Sequence, residues 1–311
     1  MDTLDIHVRP VEPERDLPAL LALLNAIREV EGNAATTAEA LRPSLEAPRY
    51  GRWVAEAAGE EGLLGLAVLF QQTPERSYGD IRVHPGQRRR GVGRALAGAL
   101  RAGAAAQGVR YLAIDVEADN QTALRFLLSQ GYRFRGDVWA LVLPVEAELP
   151  APAWPAGYTV RSYADVDDLP LYTALNNRIF GDLWGHCENT PGLVDEAHVA
   201  EVLTEFDPRG IFVVFDAGGA AVAECRARAF PPDAHLRAAH ILDQPGIAPD
   251  HRAAGLHTPL ALTAAHWLRA QAARPIRLES WGDAATTIDA YRALGFEPVE
   301  HEVSYVLELA G

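Results

Sequence analysis

The chain repeats itself, and that repeat constrains the fold more than any bulk property does. "VRPVEPERDLP" at residues 8–18 aligns with "VRSYADVDDLP" at residues 160–170, an offset of 152. Further on the offset is 164. Pro85 then aligns with Pro249, Arg88 with Arg252, Gly91 with Gly255, Leu96 with Leu260, Asp119 with Asp283 and Gly131 with Gly295. A constant offset over about fifty residues marks two copies of one folding unit. The change of offset puts twelve added residues in the second copy, around "GDLWGHCENTPG" at 181–192. Between the copies, "PVEAELPAPAWPAG" (144–157) has four prolines and no periodicity, which reads as a linker. The expected organisation is a domain over 1–143, a linker over 144–157 and a second domain over 158–311.

Both copies predict the same elements in the same order. A short strand (6–9; 158–162) precedes a helix with apolar residues every three or four places. Those residues are Leu17, Leu20, Leu21 and Leu24 in one copy, and Leu169, Tyr172, Leu175 and Ile179 in the other. A second helix follows (37–46; 194–206), then a run of strands: "RWVAEA", "LLGLAVLF" and "YGDIRV", matched by "IFVVFD", "AVAECRARAF" and "AAHILD". A loop with glycine then opens a long helix (91–107; 255–271). A strand ("YLAIDV"; "IRLES"), a short helix and terminal strands close each copy. Strand runs followed by a strand–loop–helix–strand crossover describe a mixed α/β sheet rather than a barrel.

At 49% hydrophobic residues, 311 residues can bury two ordinary cores. The net charge of -14 argues against nucleic acid or an anionic membrane as partner, and leans towards cationic acceptors such as amines. Cys187 and Cys225 form no disulfide framework and lack zinc spacing, and the ten histidines include no HExxH pair, so no metal is expected. "MDTLDIHVRP" has neither the basic nor the apolar region of a signal peptide. "LLGLAVLF" is strand-length, well short of the ~18 apolar residues of a membrane helix. These features predict a cytoplasmic protein, a monomer or homodimer.

Against this acidic background, "VHPGQRRRGVGRAL" at 83–96 is a local concentration of positive charge ahead of a helix. The first amides of a helix have no intrahelical partner and the helix dipole adds positive potential, so this junction suits an anion. Gly91 and Gly93 let a diphosphate approach the backbone, while Arg88, Arg89, Arg90 and Arg94 attract it. The plainer alternative is a glycine-bounded helix start with solvated arginines. The loop is neither a P-loop nor a Rossmann fingerprint, because G-K-[ST] and G-x-G-x-x-G are both missing.

This segment, with "DNQTALRFLLSQGY" (119–132) downstream, resembles the GCN5-related N-acetyltransferase (GNAT) family. The family's pyrophosphate loop reads Q/R-x-x-G-x-G/A, which Arg88, Gly91 and Gly93 match, and Asn120, Ala123, Gly131 and Tyr132 fit its downstream segment. Both halves carry the pattern, so nearly the whole chain is similar to a tandem GNAT protein. The resemblance implies two GNAT-like domains, each a mixed, mostly antiparallel sheet flanked by helices. It implies acetyl-CoA as co-substrate and an amine acceptor that attacks the thioester directly, with no covalent enzyme intermediate. Val83, Arg88, Arg89, Arg90, Gly91, Val92, Gly93, Arg94 and Asn120 are its implied CoA contacts in the first half. Ile247, Arg252, Gly255, Leu256 and His257 are those in the second. A backbone amide near Val83 or Ile247 polarises the thioester carbonyl.

Each copy departs from the family pattern. The tyrosine that protonates the departing thiolate lies four residues before the glycine of "GF"; that place holds Leu127 in the first copy and Tyr291 in the second. His257 stands where the first copy has Gly93, and Ala284 where it has Asn120. Asp243 and Glu224 are the leading candidates for general base, beside Asp80, Glu279 and His240. The added segment, with Trp184, His186 and Asn189, is either an acceptor pocket or a surface loop. The expected activity is N-acetyl transfer from acetyl-CoA to a primary amine of a small molecule. The alternative is a CoA-binding regulatory pseudoenzyme.

Overall fold

The computed structural model describes residues 4–47, 50–60, 62–73, 75–183, 194–230, 239–243, 245–281 and 285–309. Trp184, His186, Cys187, Asn189, Asp283 and Ala284 lie outside them. The chain forms two compact units: unit 1 is Met1–Arg135 with Ser304–Gly311, and unit 2 is Gly136–Val303.

Unit 1 runs β1 (Ile6–Pro10), α1 (Pro13–Val30), α2 (Ala38–Glu46), β2 (Tyr50–Ala57), β3 (Gly65–Thr73), β4 (Arg76–Val83), α3 (Val92–Ala106), β5 (Tyr111–Glu117), α4 (Gln121–Ser129) and the start of β6 (Arg133–Leu143). β1 to β4 pair antiparallel in chain order, and β5 then lies parallel to β4. Pro13 begins α1, where a missing N–H costs nothing. Asp16 accepts from the Glu12 amide (2.8 Å) and from two nitrogens of Arg9 (2.7 and 2.8 Å), fixing the entry of that helix. The apolar stripe of α1 (Leu17, Leu20, Leu24 and Ile27) packs on Val54, Leu66 and Val68. Residues 304–309 complete this unit, with the Leu309 amide donating to Arg110 O at 2.8 Å.

On the sheet's other face α3 buries Val92, Leu96, Leu100 and Ala104, spaced at four residues. The helix sits so close that a Cβ at Gly79 would lie 3.0 Å from Leu100 Cδ1. Leu96 is fully buried beneath the start of that helix. Leu96→Ala is expected to cost about 2–5 kcal/mol, the cavity and transfer cost of a core leucine, read as a lower midpoint in urea denaturation.

Unit 2 continues from the rest of β6 through β7 (Thr159–Ser162), α5 (Tyr163–Val166), α6 (Leu169–Phe180), α7 (Glu196–Leu203), β8 (Ile211–Phe215), β9 (Ala221–Arg228), β10 (His240–Leu242), β11 (Gly246–Ile247), α8 (His257–Gln271), β12 (Ile276–Trp281), α9 (Ala285–Ala293) and β13 (Glu297–Glu308). β7, β8, β9 and β10 pair antiparallel, β12 lies parallel to β10, and residues 138–143 of β6 pair antiparallel with β12. α8 buries Leu260, Ala261, Ala264, Ala265 and Leu268 in the core under the sheet. On the opposite face a Cβ at Gly246 would lie 2.6 Å from Phe180 Cζ, so β11 passes directly under the end of α6. The two units repeat small devices as well as elements. Asn25 donates to Thr36 O (3.2 Å), and Asn177, its counterpart at the 152 offset, donates to Val194 O (2.8 Å). In each case the amide ties the connection after the first helix.

Candidate active site

Each unit contains a wedge between two parallel strands. β4 and β5 pair only from Arg76↔Tyr111 to Tyr78↔Ala113. Beyond that β4 stays with β3 as far as Val83, while β5 runs on to Glu117. In unit 2, β10 and β12 pair from His240↔Ile276 to Leu242↔Leu278. β11 then follows β9, and β12 follows β6 to Trp281. Strand alternation decides which backbone groups face the opening. The His84 amide donates back to Leu64 O (2.9 Å), so the N–H and C=O of Val83 turn the other way, into the wedge. In unit 2 the Ala248 amide donates to Val222 O (2.8 Å), which turns Ile247 likewise.

The glycine loops lie at the mouths of these wedges. In unit 1, Arg89 and Gly91 have positive φ (65° and 96°), and Gly91 caps α3. The first intrahelical bond is Ala95 N to Gly91 O (3.1 Å), so the amides of Val92, Gly93 and Arg94 precede the ladder. A Cβ at Gly93 would meet Phe126 Cζ at 3.5 Å and Val83 Cγ2 at 3.7 Å, ordinary contact distances. Packing within the protein therefore does not require glycine there. The arginines divide their work. Arg90 pairs with Glu60 (2.8 Å) and bonds Gln87, bracing the loop. Arg88 donates to Val83 O (3.4 Å), while Arg89 and Arg94 are exposed. Asn120 caps α4 through the Ala123 amide (3.1 Å).

The second loop keeps the positive-φ glycine but changes both the turn before it, which runs Pro249–Ala254 against Pro85–Gln87, and the chemistry. Gly255 has φ 73°, and Arg252 donates to Ile247 O (3.2 Å), as Arg88 does to Val83. Arg252 also forms a two-pronged pair with Asp182 (both 2.7 Å) and donates to Ile179 O (3.1 Å). Leu256 is fully buried at the helix start. Burial, reinforced by Arg252, pulls the His257 imidazole down to about 4, so it is neutral at pH 7 and brings no charge to an anion.

The candidate bases have different surroundings. Asp80 is paired with Arg82 (2.7 Å) and Glu279 with Arg277 (3.0 Å), both towards the surface. His240 is buried between the Ala272 carbonyl and the Phe230 amide, a structural role. Cys225 is buried in the core, and burial pushes its thiol well up. Glu224 alone of the candidate carboxylates is wholly buried, at 1% exposure. It lies on β9 directly across from Gly246, one place from Ile247. Its Oε2 accepts from Tyr172 OH and its Oε1 from Asn176 Nδ2 (3.4 Å). Burial pushes the Glu224 carboxyl up, against the pull of Arg226 and the Tyr172 hydrogen bond. Arg226, two residues along β9, pairs with Asp243 (2.6 Å). The structure thus brings Glu224 and Asp243 into one charged cluster. Tyr291 is fully buried on α9, its ring in an edge-to-face contact with Phe296 (centroids 6.1 Å). Leu127, its counterpart in unit 1, is a core residue at 2% exposure.

Among the described residues, unit 1 has apolar side chains at the positions equivalent to this cluster. The 152 offset sets Leu20 against Tyr172 and Leu24 against Asn176. Matching Val83 to Ile247 in the two registers sets Leu66 against Glu224 and Val68 against Arg226. All four unit 1 residues belong to its apolar core. Tyr172, Asn176 and Arg226 were not singled out from sequence as site residues. The leucine-to-polar changes in the first helix were the available signal.

Residues 17–132 match the Acetyltransferase (GNAT) family. A mycothiol acetyltransferase from Thermobispora bispora is 30% identical over 97% of this chain and 99% of its own length. One from Thermobifida fusca is 29% identical over 95% of each chain. Among solved structures, a GCN5-related N-acetyltransferase from Sphaerobacter thermophilus superimposes with a TM-score of 0.73 at 19% identity, covering 98% of this chain and 96% of that one. A tandem GNAT protein from the clavulanic acid biosynthesis pathway gives 0.59 at 20% identity, covering 99% of both. With the wedge, the loop and the repeat already in place, these likenesses assign the chain: it belongs to the GCN5-related N-acetyltransferase family, in its tandem form, and is an acetyl-CoA-dependent N-acetyltransferase.

Proposed function

We propose that unit 2 transfers the acetyl group of acetyl-CoA to the primary amine of a small molecule, with Glu224 as the general base. The observation that carries this reading is the buried Glu224 carboxylate beside Ile247, at a place where unit 1 has leucine. Glu224 takes a proton from the acceptor's ammonium group, and the freed amine attacks the thioester carbonyl. The Ile247 amide, facing the wedge, donates to the oxygen as it becomes an oxyanion. Collapse breaks the C–S bond. The thiolate takes a proton from Tyr291, and the phenolate recovers one from the new amide nitrogen. The amides at the start of α8 hold the CoA diphosphate in unit 2, less firmly than the loop Arg88–Arg94 holds one in unit 1, because His257 occupies the place of Gly93.

The name carried by the relatives makes the amine precursor of mycothiol the first acceptor to try. The direct test is release of free CoA thiol from acetyl-CoA by the full-length protein with that amine and a panel of small primary amines. Turnover with at least one is expected. Tight acetyl-CoA binding with no turnover on any amine would instead favour the regulatory reading. In a turning-over enzyme, Tyr291→Phe keeps the ring packed on Phe296 and removes only the hydroxyl. It is expected to lower kcat by about 10²-fold without weakening acetyl-CoA binding. Steady-state kinetics with calorimetry checks it, and an unchanged kcat would leave thiolate protonation to water.

A further inference from the structure

We propose that Tyr172 and Asn176 are positioning residues, whose hydroxyl and amide fix the Glu224 carboxylate in the orientation from which it accepts the acceptor's proton. The inference rests on the reading of Glu224 as base. A glutamate on a strand has three rotatable side-chain bonds, and a buried one without partners has no single preferred direction. Here both oxygens are held from one helix. Tyr172 and Asn176 are four residues apart on α6, so their side chains stand one above the other on the same face. Both are themselves buried, at 0% and 6% exposure. Tyr172 is held in turn by the Tyr163 ring, edge-on at 5.1 Å.

The direction of the hydrogen bond is settled by chemistry. Burial, with Glu224 beside it, pushes the Tyr172 phenol well above its ordinary range, so it stays protonated and donates. Among the described residues, the other charged groups acting on Glu224 are Arg226 on β9 and Asp243 after β10, which are paired with each other (2.6 Å), and Cys225 beside it on β9 stays a neutral thiol because burial pushes it well up. Donors to a carboxylate stabilise its charged form, so removing one raises its pKa. A purely structural tyrosine would affect melting temperature and leave the pH profile in place.

The experiment measures kcat/KM against pH, and melting temperature, for the full-length wild type, Tyr172→Phe, Asn176→Ala and Glu224→Gln. Tyr172→Phe is expected to lower kcat roughly tenfold and to move the acid limb up by about one pH unit, the scale of one charge-assisted hydrogen bond. KM for acetyl-CoA should stay near wild type. Asn176→Ala should move the limb in the same direction by less, and it keeps the test intact should Tyr172→Phe fold poorly. If Glu224→Gln is inactive yet neither α6 variant moves the limb, the positioning role is wrong and the base assignment stands. If Glu224→Gln retains wild-type turnover and its acid limb, the base assignment fails and the positioning role falls with it.

Discussion

Glu224→Gln is expected to reduce kcat by roughly 10³-fold, within the range for loss of a general base, while acetyl-CoA binds as before. The substitution suits the site. Glutamine keeps the length and volume of the side chain, and its one carbonyl oxygen can still accept from Tyr172 while its amide nitrogen fills the other place, so the packing between α6 and β9 is preserved. Only the ability to take a proton is lost. The pH dependence has a definite sign. The working form is the carboxylate, and burial raises its pKa above the ordinary 4.5. Activity is therefore full at higher pH and falls as pH drops through the raised value, so the acid limb lies above the usual carboxylate range. Glu224→Gln should abolish that limb together with the turnover. A variant with wild-type kcat and an intact limb would move the base elsewhere, to Asp243 or to water.

The second large effect is expected at the other unit. Gly93→Glu should weaken CoA binding at the unit 1 loop by about 10³-fold. A new carboxylate near a diphosphate costs several kcal/mol at the effective dielectric of a protein surface. Gly93 tests the loop better than Gly91 does. Gly91 has φ 96°, so any side chain there strains the backbone as well as the site. Gly93 lies in the first turn of α3, where a Cβ meets nothing closer than 3.5 Å and where an acidic residue favours the helix dipole. The folded state should therefore survive. Calorimetry on the full-length protein should show one CoA site lost, with turnover assigned to unit 2 largely retained. Unchanged stoichiometry and affinity in a folded Gly93→Glu protein would remove the loop Arg88–Arg94 from CoA recognition.

The sequence carries the features that are local. The loop from Arg88 to Arg94 is contiguous, and a helix N-terminus is built from neighbouring residues, so the expected helix start is the one observed, with Gly91 as its cap. The repeat carries the order of elements, because each helix and strand depends on its own apolar spacing. The observed α3 (Val92–Ala106) and α8 (His257–Gln271) fall within the spans expected from that spacing. Two kinds of feature were not legible. One is strand assignment at the ends of the repeats. β6 and β13 alternate in the same way whichever sheet they join, and only the folded chain places 138–143 beside β12 and 304–309 in unit 1. The other is the surroundings of the proposed base. Glu224 and Asp243 could be nominated from sequence, but Tyr172 and Asn176 lie about fifty residues away on α6, and nothing in the strand's own pattern names them. The sequence alone thus determined the family, the two-fold repeat and the glycine- and arginine-rich loop at the start of a helix, all set by short-range spacing. The tertiary structure alone decided which carboxylate is buried, what holds it and which unit has leucines in its place, because burial and long-range hydrogen bonds exist only once β9 has packed under α6.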